Sequence, residues 1–247
     1  MKVNFLIAGT QKAGTTALDH YMRQHPDICM ARKKEVHFFD NENFFANKID
    51  YSFYHASFSP DSNEKILGES TPIYMYWKNS PERIFQYNPN MKFIIILRNP
   101  IQRAFSHWNM ERSRGAENLT FWDAINQEKE RCMQEDLSQH RVYSYIDRGY
   151  YSKQLKLLWS FFPKKNFLLI KYEDLRCSPK NVMQDICSFL GVSDMPECEM
   201  QNIFSIPYEL KITEREYSFL FDKFKDEICL LEKMLKWDLA EWKKGYE

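Results

Sequence analysis

The sequence predicts an α/β fold: a single domain with a central, mostly parallel sheet flanked by helices, of a P-loop-like kind. Three observations lead there. Short apolar runs of strand length alternate along the chain with stretches of helical periodicity, the pattern left by parallel strands joined through right-handed crossovers. One run, Phe93 to Leu97, is continuously apolar, as suits a central strand covered on both faces. Near the start, an apolar strand passes through a glycine-bracketed loop into a helix. No Pro/Gly/Ser-rich linker divides the 247 residues, so one domain over 1–247 is expected.

The first strand is carried by Val3, Phe5, Leu6, Ile7 and Ala8. Gly9 and Gly14 bracket a loop of Thr10, Gln11, Lys12 and Ala13, with Thr15 and Thr16 where a helix should begin. The first N–H groups of a helix lack internal partners and carry the positive end of its dipole, so this geometry cradles anions. The spacing nearly spells a Walker A motif, but Thr15 stands where that motif has its lysine. Lys12 instead lies inside the loop, where a cation can neutralise charge on a leaving phosphate. A glycine-rich turn that happens to contain a lysine is the plainer alternative.

The helix from Thr15 should end near Gln24, because Pro26 disfavours helical geometry just before it. Ile28 to Met30 forms a short second strand, followed by a charged run, Arg32 to Asp40, that turns aromatic. Residues 43–58 lack clean periodicity apart from a short helix around Tyr51. Ile66 to Glu69 is a buried strand, and Ser70 to Trp77 the loop leaving it. After the strand 93–97 come Arg98 and Pro100, the latter suited to the first turn of a helix running through Ser106 and Met110. Further helices are expected from Thr120 to about Gln134, from Tyr151 with Leu155 and Leu158 on one side, and from Pro179 to Leu190, ended by Gly191. The last of these follows a strand at Phe167 to Ile170. From Thr213 to Leu235, apolar residues recur at helical spacing, as in a helix packed on the sheet or, alternatively, a dimerisation face.

Basic and acidic residues both number 34, so no global field points to nucleic acid or an anionic membrane. Residues 1–115 hold 15 basic and 11 acidic side chains, a mild excess where the anion cradle lies. Six cysteines, at 29, 132, 177, 187, 198 and 229, form no metal-type spacing and read as reduced thiols. The strand beginning at Val3 leaves no room for a signal peptide, and no apolar run reaches membrane-spanning length, so a cytoplasmic location is expected.

Ligands of such sheets bind beyond the carboxyl ends of the strands, which would gather the Lys12 loop, the stretch around Glu35, and Arg98. Arg98 and Ser106 can hold a second phosphate by charge-assisted hydrogen bonds, although an arginine there could also simply pair with a carboxylate. Four segments, Ala8-Gly-Thr-Gln-Lys-Ala-Gly-Thr-Thr-Ala-Leu18, Lys34-Glu-Val-His-Phe-Phe-Asp40, Gly68-Glu-Ser-Thr-Pro72 and Leu97-Arg-Asn-Pro-Ile-Gln-Arg-Ala-Phe-Ser-His107, together resemble the PAPS-dependent sulfotransferase family. Weaker similarity continues through Arg148-Gly-Tyr-Tyr151, Tyr172-Glu-Asp-Leu175 and Phe189-Leu-Gly-Val192.

The resemblance implies that 3′-phosphoadenosine 5′-phosphosulfate (PAPS) is the donor and adenosine 3′,5′-bisphosphate the product, with no metal. Gly9, Thr10, Gln11, Lys12, Ala13, Gly14, Thr15 and Thr16 would wrap the 5′-phosphosulfate, Lys12 stabilising the leaving phosphate. Arg98 and Ser106 would grip the 3′-phosphate. Glu35 lies in a segment like the one that supplies the catalytic base in the heparan-type branch, with His37 as the rival base or a substrate contact. The sequence departs from that branch at Ser70, where a lysine is usual, and in lacking a C-terminal Lys-Gly-Arg segment, for which Lys211 is the nearest substitute. These departures favour a smaller hydroxyl- or amine-bearing acceptor over a heparan-like polysaccharide, with carbohydrate still open. Phe38, Phe39, Tyr74, Tyr76 and Trp77 are candidates to line its pocket. A P-loop kinase and a catalytically silent nucleotide-binding protein are the alternatives. The acceptor and the oligomeric state are not legible.

Overall fold

Five strands lie side by side in one parallel sheet: β1 (Phe5–Gly9), β2 (Ile28–Met30), β3 (Ile66–Ser70), β4 (Lys92–Leu97) and β5 (Phe167–Lys171), in the order β2-β3-β1-β4-β5. The computed structural model describes residues 2–60, 64–133, 139–196 and 210–246. β1 takes the middle, Ile7 lying opposite Ser70 of β3 and Ile94 of β4, and its register on β4 slips between Ile7 and Gly9, which faces Ile95. The carboxyl ends of β3, β1 and β4 therefore share one edge, where ligands of such sheets bind.

Packing divides the chain into two compact units, Met1–Leu97 with Leu157–Ser205 and Arg98–Lys156 with Ile206–Glu247. The first holds the sheet. On one face, Phe5, Ile7, Ile94 and Ile96 pack under α1 (Thr15–Met22) and a later helix that runs from Pro179 to Leu190. On β4 and β5, Phe93 and Phe167 pair directly across the strands, their rings stacked with centroids 4.8 Å apart. Gly68 in β3 admits no side chain, since a Cβ there would lie 2.0 Å from the Phe5 ring.

Two elements of this unit differ from expectation. α1 ends at Met22 rather than Gln24, because the chain tightens there, Gln24 N–H and His25 N–H bonding to the carbonyls three residues back. Two helices lay unassigned, α3 (Ser80–Tyr87) and a six-residue helix at Tyr172–Cys177, the second too short to show a period. The short helix expected around Tyr51 is α2 (Ser52–His55).

In the second unit, α4 (Pro100–Ser113) begins as expected, with Pro100 in its first turn and the Asn99 side chain accepting the Ile101 N–H at 2.9 Å. α5 (Phe121–Met133) and α6 (Tyr151–Phe161) follow; Gln134, the expected end of α5, lies outside the described residues. Back in the first unit, the six-residue helix is α7 and the one from Pro179 to Leu190 is α8, ended at Gly191 (φ 77°). α9 (Glu214–Leu235) is closed by a capping box of Thr213 and Glu216.

The stripe of α9 is narrower than its sequence implies, with Leu220, Phe224, Ile228 and Leu231 buried. It packs on α4 and on residues 149–152, where Phe224 closes over Gly149 and Glu227 takes the Ser152 N–H at 2.7 Å. Among the described residues no helix is long and apolar enough to cross a membrane.

Candidate active site

The loop after β1 is pinned at both ends. Thr10 gives its N–H and its hydroxyl to the Ile96 carbonyl, at 2.9 and 2.6 Å, which ties the loop to β4 and leaves Thr10 buried. Ala13 is buried in the core, its N–H bonded to the Thr10 carbonyl at 3.1 Å. Gly14 has φ 87°, and a Cβ there would press on Leu175 at 3.2 Å and on the Tyr172 ring. The Tyr172-Glu-Asp-Leu175 segment thus supplies the wall behind the loop. Lys12 itself is left-handed, at φ 73°. The first helical bond is Leu18 N–H to the Gly14 carbonyl, and no side chain caps the N–H groups ahead of it. Half-exposed Lys12, exposed Thr16 and these amides form a cationic, donor-rich cradle that fits the phosphate end of a nucleotide.

Glu35 is positioned from the end of the neighbouring strand, its N–H bonding to the Ser70 carbonyl at 2.8 Å. It too is left-handed (φ 63°), as is His37 (φ 56°). Left-handed backbone costs an L-residue about 1–2 kcal/mol, so its recurrence at Lys12, Glu35 and His37 marks a shape imposed by the surroundings. Lys34 Nζ lies 2.7 Å from one Glu35 oxygen and His37 Nε2 3.5 Å from the other, while His37 Nδ1 meets buried Asp40 at 2.9 Å. Hydrogen bonding to His37, helped by Lys34, brings the Glu35 carboxyl down to about 2. Asp40 first, then Glu35, raise His37 to about 9. At neutral pH Glu35 is therefore a carboxylate and His37 an imidazolium. The Glu35 side chain remains 34% exposed and that of His37 42%, enough for an acceptor to reach them.

Lys34 flanks Glu35 as the sequence expects and pairs with it, whereas Asp40 was not singled out by sequence as a partner. Asp40, three residues after His37, was the available signal. The lysine at 34 looked like part of a solvated run, whereas Lys33 is the residue of that run left exposed. Glu69, the carboxylate a kinase would offer to Mg²⁺, is fully buried and already takes hydroxyls from Tyr54, Tyr74 and Thr71. The pocket expected from Phe38, Phe39, Tyr74, Tyr76 and Trp77 is not open: all five are buried, with the rings of Phe38, Phe39 and Tyr74 packed in an aromatic cluster and Trp77 Nε1 donating to Glu42. Among the described residues no group of three or more His, Cys, Asp or Glu side chains is placed to hold a metal ion.

The remaining candidates lie in the second unit. Arg98 is half-buried, its carbonyl accepting the Tyr151 hydroxyl at 2.8 Å, and Ser106 is buried in α4. Lys211 is exposed ahead of α9, and its neighbour Glu209 lies outside the described residues.

A "Sulfotransferase domain" family model matches residues 2–211. A crystal structure of a sulfotransferase from Alicyclobacillus acidocaldarius superposes with a TM-score of 0.85 at 28% identity, covering 99% of this chain and 100% of that one. The "Membrane-associated sulfotransferase kil1" of Dictyostelium discoideum is 24% identical over 90% of this chain and 66% of its own length. The "Bifunctional heparan sulfate N-deacetylase/N-sulfotransferase 2" of Homo sapiens is 28% identical over 76% of this chain. Only 22% of that much longer protein is spanned. With the fold, the cradle and a family model covering most of its length in agreement, the chain belongs to the sulfotransferase domain family.

Proposed function

We propose that this chain transfers a sulfuryl group from PAPS to a hydroxyl or amine of a small-molecule or carbohydrate acceptor, with Glu35 as the base. The observation that carries this reading is Glu35 itself: ionised, reachable, and held on left-handed backbone at the edge of the sheet shared by the Lys12 loop. The donor, when bound, supplies an activated sulfur with a phosphate leaving group. Lys12 and the amides at the start of α1 would hold that phosphate and offset its charge, with Gly9, Gln11, Thr15 and Thr16 completing the cradle. Arg98 and Ser106 are assigned to the 3′-phosphate, with Lys211 as a further contact.

In-line transfer needs the acceptor proton removed as the new bond forms, and an ionised carboxylate accepts it. His37, holding its proton up to about 9, has no free lone pair for that task at neutral pH. Its role is to orient Glu35 and to balance charge beside it. The carbohydrate option is supported by the heparan sulfate acceptor named for the human relative. A cytoplasmic location stays part of the proposal on the cysteine pattern. The family match and the saturated Glu69 both weigh against the kinase.

Calorimetry decides the donor. Adenosine 3′,5′-bisphosphate should bind more tightly than ATP with Mg²⁺, and the reverse order would sink the sulfuryl reading. Glu35→Gln should keep bisphosphate affinity while turnover of PAPS falls by about 100-fold or more; unchanged turnover would remove Glu35 as the base.

A further inference from the structure

Glu69 takes no part in the chemistry above, yet it is wholly buried at the end of β3 and faces three hydroxyl donors. Tyr54 and Tyr74 donate to Oε1 at 2.9 and 3.0 Å, and Thr71 donates to Oε2 at 2.6 Å. The hydroxyl of Tyr74, its proton committed to Glu69, turns its oxygen toward the catalytic loop and accepts the Phe38 N–H at 3.0 Å. Phe39 N–H approaches the same oxygen at 3.5 Å. Phe38 directly follows left-handed His37, so this bond fixes the peptide at the point where the backbone is least able to fix itself.

We propose that Glu69, acting through the Tyr74 hydroxyl, is a positioning residue that holds His37 between Glu35 and Asp40. The carboxylate orients the phenol, the phenol oxygen receives the loop amide, and the imidazole is presented with both nitrogens aimed at carboxylates. Burial first, and the nearby charge of Asp40 last, push the Glu69 carboxyl up to about 7, while its three hydroxyl donors pull the other way. An ionised Glu69 is the form best served by three donors. The same strand end also binds Glu35 directly through the Ser70 carbonyl, so β3 templates both the base and the histidine beside it. Tyr54 provides an internal control: its hydroxyl donates to the same Glu69 oxygen at equal depth, while its ring, which Phe would keep, packs on Phe38 and Phe39.

The inference rests on the reading of Glu35 as the base with His37 orienting it, but its test needs neither donor nor acceptor. The imidazole Cε1–H signal of His37, assigned by its loss in His37→Gln, is titrated by NMR in the ligand-free chain, Tyr74→Phe and Tyr54→Phe. Wild type should titrate at about 9. Tyr74→Phe should lower the midpoint by about one unit or more toward the ordinary histidine value, and Tyr54→Phe should leave it in place. Urea midpoints of the two variants check that their stabilities match. A shift equal in both variants, or in neither, would overturn the proposal. With turnover measured, Tyr74→Phe should lower kcat by roughly 100-fold with the KM for PAPS unchanged. A chain that titrates as expected but binds no adenosine 3′,5′-bisphosphate would defeat the sulfuryl reading and leave this brace intact.

Discussion

Lys12, Glu35 and His37 are left-handed for different local reasons that serve one end. Lys12 sits in a turn closed by the Ala13 N–H on the Thr10 carbonyl, Glu35 is held by its N–H on the Ser70 carbonyl at the end of β3, and His37 is followed by the Phe38 N–H held on the Tyr74 hydroxyl. The charges of the pair also set a pH signature. The His37 pKa rises from 6.5 to about 9 on folding, so the folded chain keeps a proton that the unfolded chain releases. Its stabilisation is complete below 6.5 and is lost as pH rises through 9. Glu35 runs the other way, from 4.5 down to about 2, so its contribution is present above 4.5 and lost as pH falls through 2. The urea midpoint of wild type should therefore exceed that of His37→Gln at about pH 6, and the gap should close by about pH 9.5. A gap that stays constant would contradict a protonated His37.

At the scale of elements, the two strand ends that carry the site depend on glycines with no room for a methyl group. Gly68→Ala drives a Cβ into the Phe5 ring across β3 and β1, and should cost about 1–3 kcal/mol in urea unfolding, as overpacked core positions do. Gly14→Ala combines a left-handed φ with contact on Leu175, at the start of the helix whose amides form the cradle. It should weaken adenosine 3′,5′-bisphosphate binding more than it weakens folding, read by calorimetry beside urea midpoints. Equal wild-type affinity would mean that the cradle is not the phosphate site. The long strands and helices were legible because periodicity accumulates over many residues. α7 was not, although its Tyr172 and Leu175 back the Lys12 loop, because six residues carry too little pattern.

For the whole molecule, topology matters more than length. The core of the first unit draws on both ends of its sequence, since Ile170, Val182, Met183, Ile186 and Leu190 pack with Phe5, Ile7, Ile94 and Ile96. β5 pairs with β4 across some 70 intervening positions, so β4 is unprotected until the later segment arrives. A chain ending at Lys156 loses those five apolar side chains, each contributing about 1.5–3 kcal/mol by burial, against a typical total stability of about 5–15 kcal/mol. It should fail to give a cooperative urea transition by circular dichroism and should aggregate on gel filtration. A soluble, cooperatively folding fragment would show that the sheet closes without β5.

The sequence by itself determined the α/β class, the strand–loop–helix at Lys12 and the order of segments that identifies the family, because each is written in contiguous residues. Glu35 and His37 were legible for the same reason. What only the tertiary structure decided are the groups that meet through turns and from different strands: Asp40 as the partner that raises His37, and the Glu69–Tyr74 brace beneath it. It also turned the aromatic segment from a supposed pocket lining into core. Burial and hydrogen-bond partners are properties of the folded neighbourhood, and no spacing along the chain encodes them.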